Sequence, residues 1–571
     1  MPSYKDVTLS MPLLSRSQVK FRLGLARQRT RTYPLDSMDF IMMDLERPDG
    51  HHRHGYQFTG DLTGRLLEFL AHAEGVDGQH DERLPVLFER ILRQRRPSGL
   101  FGRMLTDPTA EGISRASSRL FTGFVYYYEL TNDVRALDAA IGLADLTVRS
   151  QAVWRKRLEA SGGREIPFWI TEPMALLYGV TGNTAYLDFV AMINDKLEMP
   201  DKGAHAHGYM ATLRGLQTAA LVTGDTAWNA KPEAARRMII ERHYELPDGS
   251  TPESFPHSGA NEGCSIADWL MLNLNTGAIL GDDAAYEHAE HILWNALAFN
   301  QWITGCFGVR STSPNGYGMR RFEEAWWCCV HHGGLGLVES ARHAVTVRDN
   351  TIHVNLLVPG LYRVALPGGR KAEVRITTPY PARAEASIMA AGVPADISLR
   401  LRVPESVKQP VTRESRDGDR VQITLSGRLG HQVEHCNGGV MLKYGPLVLA
   451  PAIYSWQGSD NGVNTAAASE VYVPTGYIPE VMPQGLPALG LPAPDEDGLM
   501  SFTDLPRPVW MYFDEGENAP CGVEGSAANV LVKFRDGEQK TLRFTPLCYN
   551  TSCLSLFDTP IVFGAAEYLQ T

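Results

Sequence analysis

Near Ala344 the texture of the chain changes, and that change limits its architecture more than any other feature. The residues before about 345 read as helix. One phrase recurs there: an apolar stretch, a Thr-Gly-like turn, then a new helix start. It stands at Tyr127–Asp133, Leu177–Asn183 and Ala220–Asp225, and more loosely at Ala278–Asp282. Gly or Asn closes one helix, and Asp or Asn with Thr caps the next. Thr131, Thr181, Thr223 and Leu280 follow one another at steps of 50, 42 and 57 residues, about the length of a helical hairpin with its connections. Hairpins repeated at that length predict a solenoid or a closed ring of helix pairs; a common turn used several times is the plainer alternative.

After Ala344 the sequence alternates with period two, in Ile352–Val358, Ala372–Thr378, Ile397–Val403 and Val421–Leu425, with turn residues such as Asp417-Gly418-Asp419 between. That pattern predicts antiparallel strands with one buried face, hence a β-sandwich. Residues 457–500 are rich in Gly, Pro, Asp and Ala and predict a long loop or linker. Val530–Phe534, Thr541–Phe544 and Pro560–Phe563 predict a last group of strands, which completes the first sandwich or forms a second. The expected division is a helical domain over 1–345, a sandwich over 346–456, and a linker with further strands over 457–571.

At 571 residues the chain is too long for one core. A net charge of −11 argues against a nucleic-acid partner, because no basic excess exists to neutralise phosphates. It fits an enzyme with a neutral or weakly polar substrate. The N-terminus shows no signal-peptide pattern, and no apolar run approaches a membrane span, so no membrane partner is expected. Eight sparse cysteines do not form a disulfide framework, which suits a reducing cytoplasm. A homodimer is compatible with the sequence, which does not fix the oligomeric state.

Three of those cysteines are the strongest chemical signal. Cys328 and Cys329 are adjacent in Glu323-Glu-Ala-Trp-Trp-Cys-Cys-Val-His-His332, and Cys264 follows a carboxylate in Glu262-Gly263-Cys264. Thiolates and a carboxylate from two segments suit a tetrahedral Zn²⁺; a pair of buried thiols with an incidental Glu is the alternative. A zinc-bound thiolate can itself be a nucleophile and then needs a general acid nearby. Glu253 and Glu245 compete for that part. His205, His207, His331 and His332 are candidates for binding a sugar hydroxyl, orienting a carboxylate or ligating metal. Trp327, beside Trp326, stacks on a sugar or fills the core.

The order of helical domain, Glu-x-Cys motif, Cys-Cys motif and sandwich resembles the β-L-arabinofuranosidases of glycoside hydrolase family 127 and their relatives. The matching residues are Glu262-Gly263-Cys264, Cys328-Cys329, Gly418-Asp419-Arg420-Val421 and Gly445-Pro446-Leu447, within roughly residues 55 to 450. The resemblance implies an (α/α)6 barrel followed by antiparallel β-sandwich domains. It implies zinc held by Glu262, Cys264, Cys328 and Cys329, Cys328 as nucleophile and Glu253 as acid/base. The implied reaction is retaining hydrolysis of a terminal sugar, by default β-L-arabinofuranose. This chain carries His331-His332 where the family has Pro-Asn, and Pro252-Glu253-Ser254-Phe255 only partly fits the family's Gly-Glu-x-Phe, so the loops around the sugar differ. Two other readings stand beside it: a polysaccharide lyase or sugar epimerase on a helical toroid, and a non-catalytic carbohydrate-binding protein with a structural zinc.

Overall fold

The computed structural model describes residues 4–46, 60–101, 118–160, 170–199, 204–302, 304–313, 316–451, 488–502, 526–533, 537–549 and 559–569. Six helices form a closed ring. They are Asp61–Asp77, Ser118–Thr131, Thr171–Thr181, Ala206–Thr223, Gly263–Leu280 and Cys329–Ala344. Each packs on the next, and the last packs back on the first. Four of these helices, Asp61–Asp77, Ala206–Thr223, Gly263–Leu280 and Cys329–Ala344, are buried nearly all round: in Ala206–Thr223 every residue but Thr223 is buried. Outer helices lie behind them, Arg83–Leu92, Val134–Arg149, Thr184–Lys196, Ala230–Glu241 and Asp283–Ile292, each against the ring helix that precedes it. Gln18–Arg29 takes the sixth outer place against Cys329–Ala344. The outer helices are one-sided. Val134–Arg149 buries Ala136, Ala139, Ala140, Leu143, Ala144 and Thr147, which is helical spacing.

The recurring turn links a ring helix to its outer partner. Thr131, Thr181 and Thr223 each donate a side-chain hydrogen bond to the carbonyl four residues back. Each hydroxyl then accepts from the N–H two residues on, at 3.1–3.2 Å. Gly182, Gly224 and Gly281 end their helices at positive φ, and Asp133, Asn183, Asp225 and Asp282 cap the next element.

Two of the sheets share the large buried cluster with the ring. One has the strands Val7–Leu9, Val345–Arg348, Thr351–Val354 and Ser398–Leu401, in that order. The other runs Lys408–Asp417, Arg420–Arg428, Glu385–Ala391, Lys371–Thr377, Gly360–Ala365 and Met11–Leu14. Lys371–Thr377 alternates strictly between exposed and buried, as its sequence predicts. A seven-stranded sheet holds His431–Cys436, Gly439–Tyr444, Leu447–Pro451 and the C-terminal strands around a separate small core. The chain is thus a mixed helix-and-sheet protein with several sheets.

Two expectations change. Val7–Leu9 and Met11–Leu14, inside the span read as helical, are edge strands of the two sheets above. An edge tolerates Pro12, which hid the strand signal. Within the expected linker 457–500, residues 452–487 lie outside the described residues, but Ala488–Pro492 is a strand between Ala528–Lys533 and Ala566–Leu569. It is short, apolar and without period, so its neighbours alone define it. Among the described residues no helix is long and apolar enough to cross a membrane.

Ring closure depends on close backbone approach. A Cβ on Gly64 would sit 2.3 Å from the Leu120 nitrogen, backbone of the neighbouring ring helix. Gly64→Ala should therefore lower stability by about 1–3 kcal/mol despite alanine's better helix propensity, read as a lower denaturant midpoint at unchanged m-value.

Candidate active site at the mouth of the helical ring

The two cysteine motifs meet because two ring helices begin at the same place. Glu262 ends the short strand Ala260–Glu262, which pairs with Gly308–Ser313. The chain turns directly into Gly263–Leu280, so Cys264 lies in its first turn. Cys328 precedes Cys329–Ala344, with the Cys329 N–H bonded to the Ala325 carbonyl at 2.9 Å. Gly263 permits the approach: a Cβ there would lie 2.8 Å from Phe307 Cβ and 3.2 Å from Cys329 Cβ. Both helix N-termini favour anionic sulfur.

Cys264 Sγ is 3.5 Å from Cys329 Sγ, and Cys328 Sγ is 3.5 Å from Cys329 Sγ. All three sulfurs lie within 4.8 Å of one another. That is far beyond a disulfide bond of about 2.05 Å and close to the ~3.8 Å between two thiolates on one tetrahedral zinc. Cys264 and Cys329 are fully buried, while Cys328 keeps 7% of its surface. Burial pushes the Cys264 and Cys329 thiols well above the ordinary range, and the neighbouring thiols add to it. Glu262 is also raised, by burial first and then by Cys328 and Glu253. Its Oε1 has no hydrogen-bond donor and lies 3.4 Å from His205 Nε2. A cluster of acidic groups that cannot all ionise together is what a divalent cation relieves. The residues fit a metal ion.

Glu253 reaches this place through its backbone. Its N–H donates to the Ala260 carbonyl at 2.8 Å, and its carbonyl accepts from the Ala206 N–H at 3.0 Å. The segment thus lies between the Glu262 strand and the start of Ala206–Thr223. Its carboxylate is felt by both Glu262 and His205. Glu245 lies elsewhere. It accepts from Trp269 Nε1 at 2.7 Å and faces His288 Nε2 at 2.9 Å. It lines a cavity of about 560 Å³ between the outer helices and strand residues such as Glu434 and Lys443. Burial would raise its pKa, but His288 and Trp269 outweigh that and hold it low.

The four histidines separate. His205 is half-exposed beside Glu262. His331 is fully buried, with neither ring nitrogen hydrogen-bonded, and burial with Arg65 nearby lowers it to about 3. His207 and His332 instead belong to a buried ionic network around Asp268. Arg119 lies 3.1 Å from His207 Nε2, which must therefore accept, so His207 Nδ1–H donates to Asp268 Oδ2. His332 Nε2 and Arg214 Nε each reach Asp268 Oδ1 at 2.8 Å. Arg214 also pairs with Glu172. Burial would raise Asp268, but His332, His207 and Arg214 hold it well below the usual carboxylate range. Trp327 is half-buried, edge-on to Trp326 at 5.2 Å, just before Cys328.

Sequence reasoning missed Asp268, Arg65, Arg119 and Arg214. A signal was present: each is a charge within an apolar ring helix, and Asp268 stands four residues after Cys264, on its face. Cys521 and Cys553 lie outside the described residues.

Residues 116–339 match the family model described as beta-L-arabinofuranosidase, GH127 catalytic domain. No curated protein matches the chain. Among solved structures, a GH127 beta-arabinofuranosidase superposes with a TM-score of 0.67 at 14% identity, covering 99% of this chain and 100% of that one. A GH127 beta-L-arabinofuranosidase from Geobacillus stearothermophilus T6 gives 0.66 at 14% identity, covering 97% and 100%. A structure described as a glycoside hydrolase gives 0.63 at 14% identity, covering 99% and 98%. At such identities these likenesses speak for the fold, and the matched catalytic domain speaks for the activity. The chain is a glycoside hydrolase. Over residues 116–339 it is similar to the catalytic domain of the GH127 β-L-arabinofuranosidases.

Two buried histidines make the fold sensitive to acid. Burial lowers His332 and His291 to about 4 each. The unfolded chain takes up these protons near pH ~6.5, so their stabilising contribution is present above that pH and is lost as pH falls towards 4. The unfolding free energy, read from the denaturant midpoint, should fall over that window by at most on the order of 3 kcal/mol per histidine.

Proposed function

We propose that this glycoside hydrolase is a retaining exo-enzyme that uses Cys328 as nucleophile and Glu253 as acid/base, with a zinc ion held by Glu262, Cys264, Cys328 and Cys329. The observation that carries the reading is the convergence of three thiol sulfurs from two distant segments within 4.8 Å. Bound zinc would keep these thiols deprotonated at neutral pH. The closed ring of six helices with outer partners supports an (α/α)6 barrel, with the thiols at its mouth.

Of the three sulfurs, only Cys328 retains any exposure, which supports it as the attacking group. Its sulfur forms a bond to the anomeric carbon while the bond to the leaving oxygen breaks. Glu253 gives that oxygen a proton. The Glu253 carboxylate then takes a proton from water, whose oxygen attacks the anomeric carbon and releases the Cys328 thiolate. Two inversions leave the configuration retained, with a thiolate where most such enzymes use a second carboxylate. His205 and Trp327 are the proposed sugar contacts, because they border the thiols and keep exposed surface; His331, fully buried beside them, is not among these contacts. His207 and His332 act one step back, by holding Asp268 and with it the two cysteine helices. The default substrate is a terminal β-L-arabinofuranoside, on the strength of the family match. Free buried thiols suit a reducing compartment such as the cytoplasm.

Metal analysis of the purified protein should find one zinc per chain, and chelation should abolish turnover while making the site thiols titratable. Cys328→Ser should reduce hydrolysis of an aryl β-L-arabinofuranoside by roughly 10³-fold or more with the helical circular dichroism intact. Glu253→Ala should cost ~10²–10⁴-fold, most for poor leaving groups. A fully active Cys328→Ser enzyme would sink the mechanism.

A further inference from the structure

A cavity of about 280 Å³ lies at the other end of the ring from the thiols, near the lower limit of ~300–1,000 Å³ usual for ligand sites. Arg342 in its wall follows Cys329 by 13 residues of one helix, so it stands about 20 Å further along the axis. Nothing in the proposed chemistry uses this cavity.

Its floor is polar and unsatisfied. His72 is nine-tenths buried, with Nδ1 facing Glu339 Oε1 at 3.5 Å and Nε2 without a hydrogen-bond partner. A proton on Nδ1, against the carboxylate, leaves Nε2 a bare acceptor. Glu129 Oε1 is likewise buried and unpaired. Arg342 stands with them, its Nη1 bonded to Glu339 at 2.7 Å. Orphaned buried acceptors are expensive unless something donates to them. The sides are apolar: Tyr126, packed edge-on to His72 at 3.6 Å, and Met11, itself 47% exposed. The mouth is open at Gly75, an exposed glycine within a helix, where an added Cβ would meet nothing within 4 Å.

We propose that this cavity binds a small neutral polyhydroxyl molecule, the size of one free monosaccharide, whose hydroxyls donate to His72 Nε2 and Glu129 Oε1 and accept from Arg342. An anion would face Glu129 and a cation would face Arg342, so neither suits the wall. A sugar offers hydroxyl donors to the floor and C–H surface to Tyr126 and Met11. The inference is independent of which residues perform the hydrolysis.

The test uses the full chain as purified, with L-arabinose, D-xylose and glycerol as probes, by calorimetry and saturation-transfer NMR. At least one probe should bind at a site that an aryl glycoside substrate does not compete for. Gly75→Leu, which fills the mouth, and Glu129→Leu, which removes the acceptor, should each weaken that binding about tenfold or more, the worth of one good hydrogen bond. Helical circular dichroism and aryl-glycoside turnover should stay at wild-type levels in both, which separates loss of the site from loss of the fold. If no probe binds beyond what substrate competition removes, or if both variants bind as the wild type does, the proposal fails.

Discussion

The Asp268 carboxylate, buried in the middle of the helical ring, is the contact on which the rest of the structure depends. It accepts from His207 and Arg214 of one helix and from His332 of another, while standing itself on a third. Arg214 extends the network to Glu172, and His207 extends it to Arg119 and Arg65. Each of the six ring helices thus places a charged or polar side chain in one connected group. Such a group is costly to bury and stabilises little by itself, because desolvation cancels most of the attraction. Its value is registry. Hydrophobic contacts alone would let neighbouring helices slide by fractions of a turn, whereas a saturated carboxylate allows one arrangement.

That registry is what the thiols need. Asp268 stands one turn below Cys264, and His332 one turn below Cys328 and Cys329. Tying Asp268 to His332 fixes the two helix starts against each other, and Gly263 removes the Cβ that would keep them apart. The sulfurs therefore meet through helix packing rather than through a flexible loop. A site held in this way is preorganised by packing rather than by a ligand.

The same column of buried charge continues to the far end of the ring, where His72, Glu339 and Arg342 repeat the pattern on a smaller scale. There the network is incomplete, with acceptors left over beside an open cavity. A fully met Asp268 carboxylate at the centre and unmet acceptors at the end suggest different duties: holding the ring, and meeting something from outside it.

The amino-acid sequence by itself determined what is local. The Thr-Gly-Asp turns, the helical hairpins they separate, the period-two strands after Ala344 and the Glu-x-Cys and Cys-Cys motifs could all be read, because each depends on residues a few positions apart. Tertiary structure decided what depends on distant partners. Val7–Leu9 and Ala488–Pro492 are strands only because neighbours pair with them. Glu245 and Glu253 look alike in sequence, yet one faces Trp269 and His288 and the other lies beside Glu262. His207 and His332 read as free site histidines until the fold wrapped them around Asp268. Periodicity reports which face of an element is buried; it carries no information about which buried charges from separate helices will share one hydrogen-bonded centre, and that was settled by the closure of the ring.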